Sequence, residues 1–532
     1  MKTLLAMVSM LLILVPATQG QVSYFDGLSP EEMDLVQRAA AVFRPDLLPT
    51  GSPYLHRRAI CGTPIVQELK AAWPQLSKRS RDVLGLQFTR PTRHYQVVSG
   101  SGHFTIHYDL AGRHAVAQTD DNQNGVPDYV DRTAEIFDEV RETEINQLGY
   151  RPPPSDGDDF YDVYVTDLAP EYSYGYTYGD AGFGDLKSSS YIEIDNDYAD
   201  HIYFTRGLDG LRVSAAHEFY HAIQFGYYAD TAASWWQEVT GVWIEDVVYD
   251  RVNDYYQYLG GFFDSPEKSL DDIAGLHVWG ASVFAHHLEQ VYGAGSIKRT
   301  WETLSEREPA RYRIHEIDLG MPPGGFAGVL PRFAVWNYFT QDRSRPGFYN
   351  EAESYPLVKT RVIDFGAGSQ ASGSGRIDHL GMDYLQISTK GRPGGLRVDF
   401  DLSNSATWQI IVLLIRPAGV ELVYPVQGQV DIPDIERFDE IVLIPVVTSL
   451  NGRGHSYEYT LSLDPTVGHA TALVGDFNRD GETGFADFLI FAEGFGKKPT
   501  GQASTLRLDL NGDGKVNFGD FLIFASHFGE GI

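Results

Sequence analysis

His217-Glu218-Phe219-Tyr220-His221 and, after a short spacer, Trp235-Trp236-Gln237-Glu238 decide how the middle of this 532-residue chain is read. Ala215, Ala216 and Ala222 flank the first stretch, and Leu208 to Ala216 runs into it without proline, so a helix is predicted through both histidines. Residues four apart on a helix share a face, so His217 and His221 can offer their imidazoles to one ion while Glu218, one position on, reaches a water beside it. Ser234 to Tyr249 predicts a second helix, on which Glu238 and Glu245 stand seven apart on nearly one face. Two neutral imidazoles and a carboxylate, from His217, His221 and Glu238, hold zinc and leave a position open for water, whose proton affinity the cation lowers toward neutrality. Glu245 is then placed to orient a ligating histidine by hydrogen bonding.

The run Trp236-Gln237-Glu238-Val239-Thr240-Gly241-Val242-Trp243-Ile244-Glu245 resembles the glutamate-bearing helix of the gluzincins, zinc peptidases whose third ligand is a glutamate on a following helix. The resemblance implies one catalytic zinc on His217, His221 and Glu238, with Glu218 as general base and then proton shuttle. Related enzymes often place an oxyanion-stabilising tyrosine further along, where this chain has Leu276-His277-Val278-Trp279-Gly280-Ala281-Ser282. Indole N–H donates a hydrogen bond but brings no phenolic oxygen. Either His277 takes the catalytic role of oxyanion donor, or His277 and Trp279 pack a helix.

The flanking sequence predicts an α+β zincin-like domain over residues 96–354. His103 to Asp109, Tyr161 to Val165 and Tyr191 to Ile194 read as strands, and Tyr255 to Tyr338 as a helical half with a cleft before it. Tyr191 to Asp195 is expected to be the edge strand that pairs with an extended backbone, making protein or peptide the substrate.

Three loops have calcium spacing. Near the end, Asp476-Phe477-Asn478-Arg479-Asp480-Gly481 and Asp509-Leu510-Asn511-Gly512-Asp513-Gly514 are offset by 33 residues, and each runs into a Phe-Leu-Ile-Phe-Ala helix. Oxygens at loop positions 1, 3, 5, 7 and 12 come from Asp476, Asn478, Asp480, Glu482 (through its carbonyl) and Asp487, then from Asp509, Asn511, Asp513, Lys515 (carbonyl) and Asp520. Aspartate, not the usual glutamate of an EF-hand-like loop, fills position 12. Paired loop-helix repeats of this kind resemble a dockerin, a small α domain over residues 471–532, and the resemblance implies two calcium ions and a cohesin module as partner. Phe485-Ala486 and Phe518-Gly519 stand where dockerins of well-studied cellulosomes often carry small or hydroxylated residues, which leaves a purely structural calcium-folded tail open as well. The third loop lies in the central region: Asp120, Asn122, Asn124, Asp128 and Asp131 fill positions 1, 3, 5, 9 and 12, with the Val126 carbonyl at 7 and Gly125 at the sharp turn. One calcium there would fix the start of a following helix.

Met1-Lys2, the apolar run Leu4 to Val15 and Ala17-Thr18-Gln19-Gly20 read as a secretory signal peptide over residues 1–20, so a secreted protein, extracellular or held at the cell surface by a partner, is expected. No other apolar run is long enough to span a membrane. With 72 acidic against 42 basic residues and a net charge of −30, the surface repels phosphate backbones, which excludes nucleic acid as a partner. Residues 21–95, with two helical stretches and basic sites at Lys78-Arg79-Ser80-Arg81 and Arg90 to Arg93, look like a propeptide. Arg57-Arg58-Ala59-Ile60-Cys61-Gly62-Thr63-Pro64 resembles the cysteine switch of secreted matrix metalloproteases, which implies Cys61 as a latency ligand in the open position of zinc. A lone buried cysteine is the plainer alternative. From 355 to 465, short strand-like runs between glycine-rich turns predict an all-β sandwich. The whole reads as a multidomain secreted zinc peptidase; the rival reading is a catalytically inactive zincin fold serving as a calcium-stabilised surface adhesion protein.

Overall fold

The computed structural model describes residues 25, 27–48, 52, 54, 60–86, 88–180, 185–306, 313–388, 394–416, 419–423, 428–464, 467, 474–477, 482–497 and 508–530. The expected signal peptide lies outside them.

Three helices come first, α1 (Pro30–Phe43), α2 (Thr63–Ala72) and α3 (Lys78–Leu84). Ser29 caps α1, its hydroxyl accepting the Glu32 N–H at 3.2 Å, and Pro30 fills the first turn, where no N–H is needed. Their apolar faces, Val36, Ala39, Ala40, Val66 and Leu69 among them, close on Tyr176 of the following domain.

That domain opens with β1 (Tyr95–Val98), β2 (Phe104–Tyr108), α4 (Asp128–Arg141), β3 (Tyr161–Thr166), β4 (Gly175–Gly179) and β5 (Ser190–Asp195). The sheet order is β1-β2-β3-β5-β4, parallel through β2, β3 and β5 and antiparallel at both ends. β5 is therefore not the edge expected from sequence. The β4–β5 pairing folds Gly175–Gly179 back along its outer side, and β4 is the edge.

Helices follow: α5 (Gly207–Tyr227), α6 (Ser234–Val248), α7 (Tyr256–Phe263), α8 (His277–Gly280), α9 (Ser282–Tyr292), α10 (Gly295–Ser305), α11 (Arg313–Gly320) and α12 (Gly325–Tyr338). α5 is buried on nearly every side, Leu211, Val213, Ala215, Phe219, Ala222 and Ile223 among its buried residues, as befits a helix enclosed between a sheet and other helices. Gly241 of α6 lets the two helices approach closely, since a Cβ there would stand 2.9 Å from His217 Cε1.

The β-sandwich comprises β6 (Arg361–Asp364), β7 (Gln370–Ile377), β8 (Leu385–Ser388), β9 (Gly395–Leu402), β10 (Trp408–Arg416), β11 (Gly419–Val423), β12 (Gln429–Ile432), β13 (Glu440–Val447) and β14 (His455–Asp464). Its sheets run β11-β10-β13-β8-β6 and β12-β9-β14-β7. The unbroken apolar run Ile410 to Ile415 has a reason in this packing. Ile410, Val412 and Leu414 face the second sheet, whereas Ile411, Leu413 and Ile415 join the core of the helical half. His379 pins the same junction, with Nε2 3.0 Å from Asp271 and Nδ1 2.8 Å from the Gly452 carbonyl. The tail adds α13 (Phe485–Gly494) and α14 (Phe518–Ser526) around Phe491, Leu508 and Val516.

Candidate metal centre

α5 and α6 cross so that the expected ligands meet. His221 Nε2 is 3.1 Å from Glu238 Oε1, and His217 Nε2 is 3.7 Å from Glu238 Oε2. The outer nitrogen of each imidazole is held from behind: His217 Nδ1 donates to Glu245 Oε1 at 2.7 Å and His221 Nδ1 to Gln224 Oε1 at 2.7 Å, fixing the tautomers that aim Nε2 inward. Gln224 is anchored in turn by donating to the Gln237 carbonyl and Thr240 Oγ1. Trp279 Nε1 donates to Glu238 Oε2 at 2.6 Å.

A fourth donor arrives from the N-terminal region. One ligand-type atom each from Cys61, His217, His221 and Glu238 lies within 4.8 Å of the others, and all four residues are buried. Cys61 Sγ is 3.5 Å from His221 Nε2, and its thiol donates to Glu218 Oε1 at 3.3 Å. Thr63 Oγ1 donates to Glu218 Oε2 at 2.9 Å and accepts the Thr177 N–H at 2.8 Å, while Thr177 Oγ1 also donates to Glu218 Oε2 at 2.7 Å.

Backbone pairing brings Cys61 there. Ile60 forms a parallel bridge with Ser173, and Gly62 N–H donates to the Gly175 carbonyl at 3.1 Å, so residues 60–62 extend the sheet beyond the edge strand β4. A side chain at Gly62 would collide with Tyr176, whose Cε1 lies 1.9 Å from an ideal Cβ. Cys61 and Glu238 also line a cavity of about 580 Å³, with Val278 and Trp279 on the helical side and Arg38, Ile65 and Glu68 on the N-terminal side.

The donor set suits zinc: two imidazole nitrogens, a carboxylate and a sulfur. His217 Nε2 is buried without a hydrogen-bond partner, as a nitrogen reserved for a cation would be. Burial, with His221 beside it, pushes the His217 imidazole well down, keeping it neutral. Burial, reinforced by the charges of Asp254, Glu238 and Glu218, pushes the Glu245 carboxyl well up, and a cation among these groups relieves that repulsion. Burial holds Glu218 above the ordinary carboxylate range against the pull of His221 and the Thr177 and Thr63 hydroxyls, which suits a group that must take a proton and return it. Burial and the charges of Glu218 and Glu238 likewise push the Cys61 thiol up, a preference that a bound cation reverses.

His277 is not part of this cluster. Its ring nitrogens face the carbonyls of Gly261 (3.1 Å) and Ser269 (3.0 Å), so it ties together the segment between α7 and α8. Tyr258 instead lines a small cavity with Cys61, His217 and Glu218. Sequence reading missed Tyr258, Thr63, Thr177 and Gln224. Only Gln224, three residues beyond His221 on the same helix, carried a local signal.

In the loop before α4, Asp120 accepts the N–H groups of Asn124 (3.1 Å) and Gly125 (2.9 Å), and the Asn122 and Asn124 side chains reach Asp131 Oδ2. Asp128 turns to the Asp121 N–H at 3.0 Å, and Val126 donates its N–H to Asn124 Oδ1 at 2.8 Å. In the tail, Asn478 and Asp480 lie outside the described residues, while Asp487 is buried and accepts the Gly484 N–H at 2.9 Å. Glu482 stands between Asp480 and α13. In the second loop the carboxylates of Asp509, Asp513 and Asp520 gather within 4.8 Å. Asn511 receives the Asp513 N–H at 2.9 Å, and the Lys515 N–H reaches Asp513 Oδ1 at 3.0 Å. Burial and the neighbouring carboxylates push Asp509 up to about 6 and Asp520 to about 7.

Residues 474–528 match the Dockerin type I domain family, so the tail is a dockerin, a class of domain that binds calcium and cohesin modules. No curated protein matches the chain. Among solved structures, PliG of Salmonella Typhimurium, a periplasmic lysozyme inhibitor of g-type lysozyme, aligns at 18% identity over 20% of this chain and 98% of its own, with a TM-score of 0.16 that supports no inference. Among the described residues no helix is long and apolar enough to cross a membrane.

Proposed function

We propose that this chain is a secreted zinc-dependent peptidase of gluzincin type, made as a latent precursor and joined through its dockerin to a cohesin-bearing partner. One observation carries the reading: four buried metal-type donors from Cys61, His217, His221 and Glu238 converge beside the carboxyl of Glu218. His217, His221 and Glu238 would hold a zinc ion, which would supply Lewis acidity toward the scissile carbonyl and a water made nucleophilic at neutral pH. Glu218 takes the proton and delivers it to the leaving amine, with Thr177 fixing its carboxylate. Trp279 holds Glu238 in place, and Tyr258 takes the oxyanion role expected of His277. An extended peptide pairs with the edge strand β4, where residues 60–62 now lie, and the cavity beside Trp279 receives a side chain.

The N-terminal region blocks this machinery in three ways. Cys61 takes the fourth ligand position, Thr63 engages the base, and the segment covers the strand edge. Cleavage within residues 21–95 frees all three. Calcium in the Asp120–Asp131 loop secures the start of α4. In the dockerin, Phe485 and Leu489 are exposed on one helix, and their counterparts 33 residues on, Phe518 and Leu522, on the other, giving cohesin two equivalent apolar faces.

The test is zinc content and casein hydrolysis of the full chain, before and after limited proteolysis of the N-terminal region, beside Glu218→Ala. Bound zinc in both proteins, and hydrolysis only in the processed parent, is the expected result. Processed parent that binds no zinc, or that binds zinc and cleaves no protein or peptide offered, overturns the reading.

A further inference from the structure

The second calcium loop does not stand free. Arg332 of α12, 3% exposed, donates through Nη2 to Asp509 Oδ2 at 2.8 Å, and Asp509 is itself 2% exposed. The Gly514 N–H donates to the same Oδ2 at 3.0 Å, while Oδ1 is buried and has no hydrogen-bond partner. One helical turn along α12, Trp336 Nε1 donates to the Gly512 carbonyl at 2.9 Å. Farther out, Glu421 of β11 meets His527 Nε2 at 3.1 Å.

This geometry divides the labour of the position-1 carboxylate. Oδ2 is spent on Arg332 and the loop backbone; Oδ1 is left for a cation beside Asp513 and Asp520. Charge agrees with the division. The three carboxylates, Asp509 and Asp520 buried and Asp513 half-buried, and one divalent cation leave a single uncompensated negative charge, and the Arg332 guanidinium cancels it beside the buried Asp509, where an unpaired charge is costly. We propose that Arg332 belongs to the second calcium site as the residue that positions Asp509, so that calcium in this loop and docking of the dockerin on the helical half are one linked equilibrium. Linkage is reciprocal: whatever factor docking adds to calcium affinity, calcium adds to docking.

From residue 474 onward the chain contains neither tryptophan nor tyrosine, so a lanthanide in this loop is sensitised by tryptophan only when the tail is docked, as where Trp336 donates to the Gly512 carbonyl. Terbium titration of the full chain, excited through tryptophan, therefore reads docking and metal binding at once, and Trp336→Phe identifies the component that comes from this loop. Arg332→Met is expected to raise the terbium midpoint of that component by about tenfold or more, the usual effect of removing a partner of a metal ligand, with Arg332→Lys falling between. Glu421→Gln, which touches the docking surface but not the loop, is expected to raise it as well, and it keeps the test alive should Arg332→Met fail to fold. An Arg332→Met midpoint equal to or tighter than the parent's overturns the role of Arg332. A Glu421→Gln midpoint equal to the parent's overturns the linkage.

Discussion

Glu218 lies where three segments cross, receiving hydrogen bonds from Cys61, Thr63 and Thr177 within one buried pocket. Replacing it with glutamine keeps shape and zinc but removes the base, so hydrolysis by the processed enzyme should fall by about a hundredfold to ten-thousandfold at unchanged metal content, measured by steady-state kinetics beside metal analysis. Cys61→Ser puts a poor zinc ligand in the same place. The unprocessed variant should cleave casein where the unprocessed parent does not; equal silence from both would refute a latency role for the thiol. Glu245→Gln weakens the hydrogen-bond partner of His217, and zinc affinity in competition with a chelator should drop by roughly ten- to a hundredfold. Helical spacing made two pairs legible, His217 with His221 on one face of α5 and Glu238 with Glu245 on one face of α6, while the crossing that brings the pairs together is tertiary. Thr63 and Thr177 were not legible, since a strand residue acquires its neighbours from pairing, which no local pattern announces.

Among the elements, β4 shows how pairing overrides appearance. Gly-Tyr-Thr-Tyr-Gly, with glycine at both ends, has weak strand character, yet it forms the sheet edge, and the more strand-like Ser190–Asp195 is buried behind it. The four sandwich strands around Leu385, Leu396, Ile410 and Ile441 were readable from short strand-like runs between glycine-rich turns. What those runs left open was which faces would be covered. The segment on β4 depends on Gly62, because any side chain there meets Tyr176. Gly62→Val should therefore lift residues 60–62 from the edge and raise the hydrolytic rate of the unprocessed chain without lowering its zinc content. A variant as silent as the unprocessed parent would show that Cys61 stays in place without the strand pairing.

At the scale of the whole molecule, the sandwich is joined to the helical half by His379, whose two ring nitrogens both face acceptors, Asp271 and the Gly452 carbonyl, and so call for an imidazolium. Burial opposes that charge, but the Asp271 carboxylate outweighs it and holds the His379 pKa above its ordinary value, while His379 holds Asp271 below its own. The stability this pair contributes is complete below the unfolded histidine pKa, about 6.5, and is lost as pH rises through the raised folded value. The melting temperature of the parent should thus fall more between pH 6 and pH 9 than that of His379→Gln, and parallel curves would sink the assignment. None of these junctions was visible in the sequence, for they join residues far apart in the chain with no repeating spacing between them. The contact between Arg332 and Asp509 carries a mechanical meaning of its own. On the proposed function, a body fastened to its dockerin at that point is mounted on a bracket rather than a leash, so a cohesin-bearing partner that holds the dockerin would also set the direction in which the cleft faces.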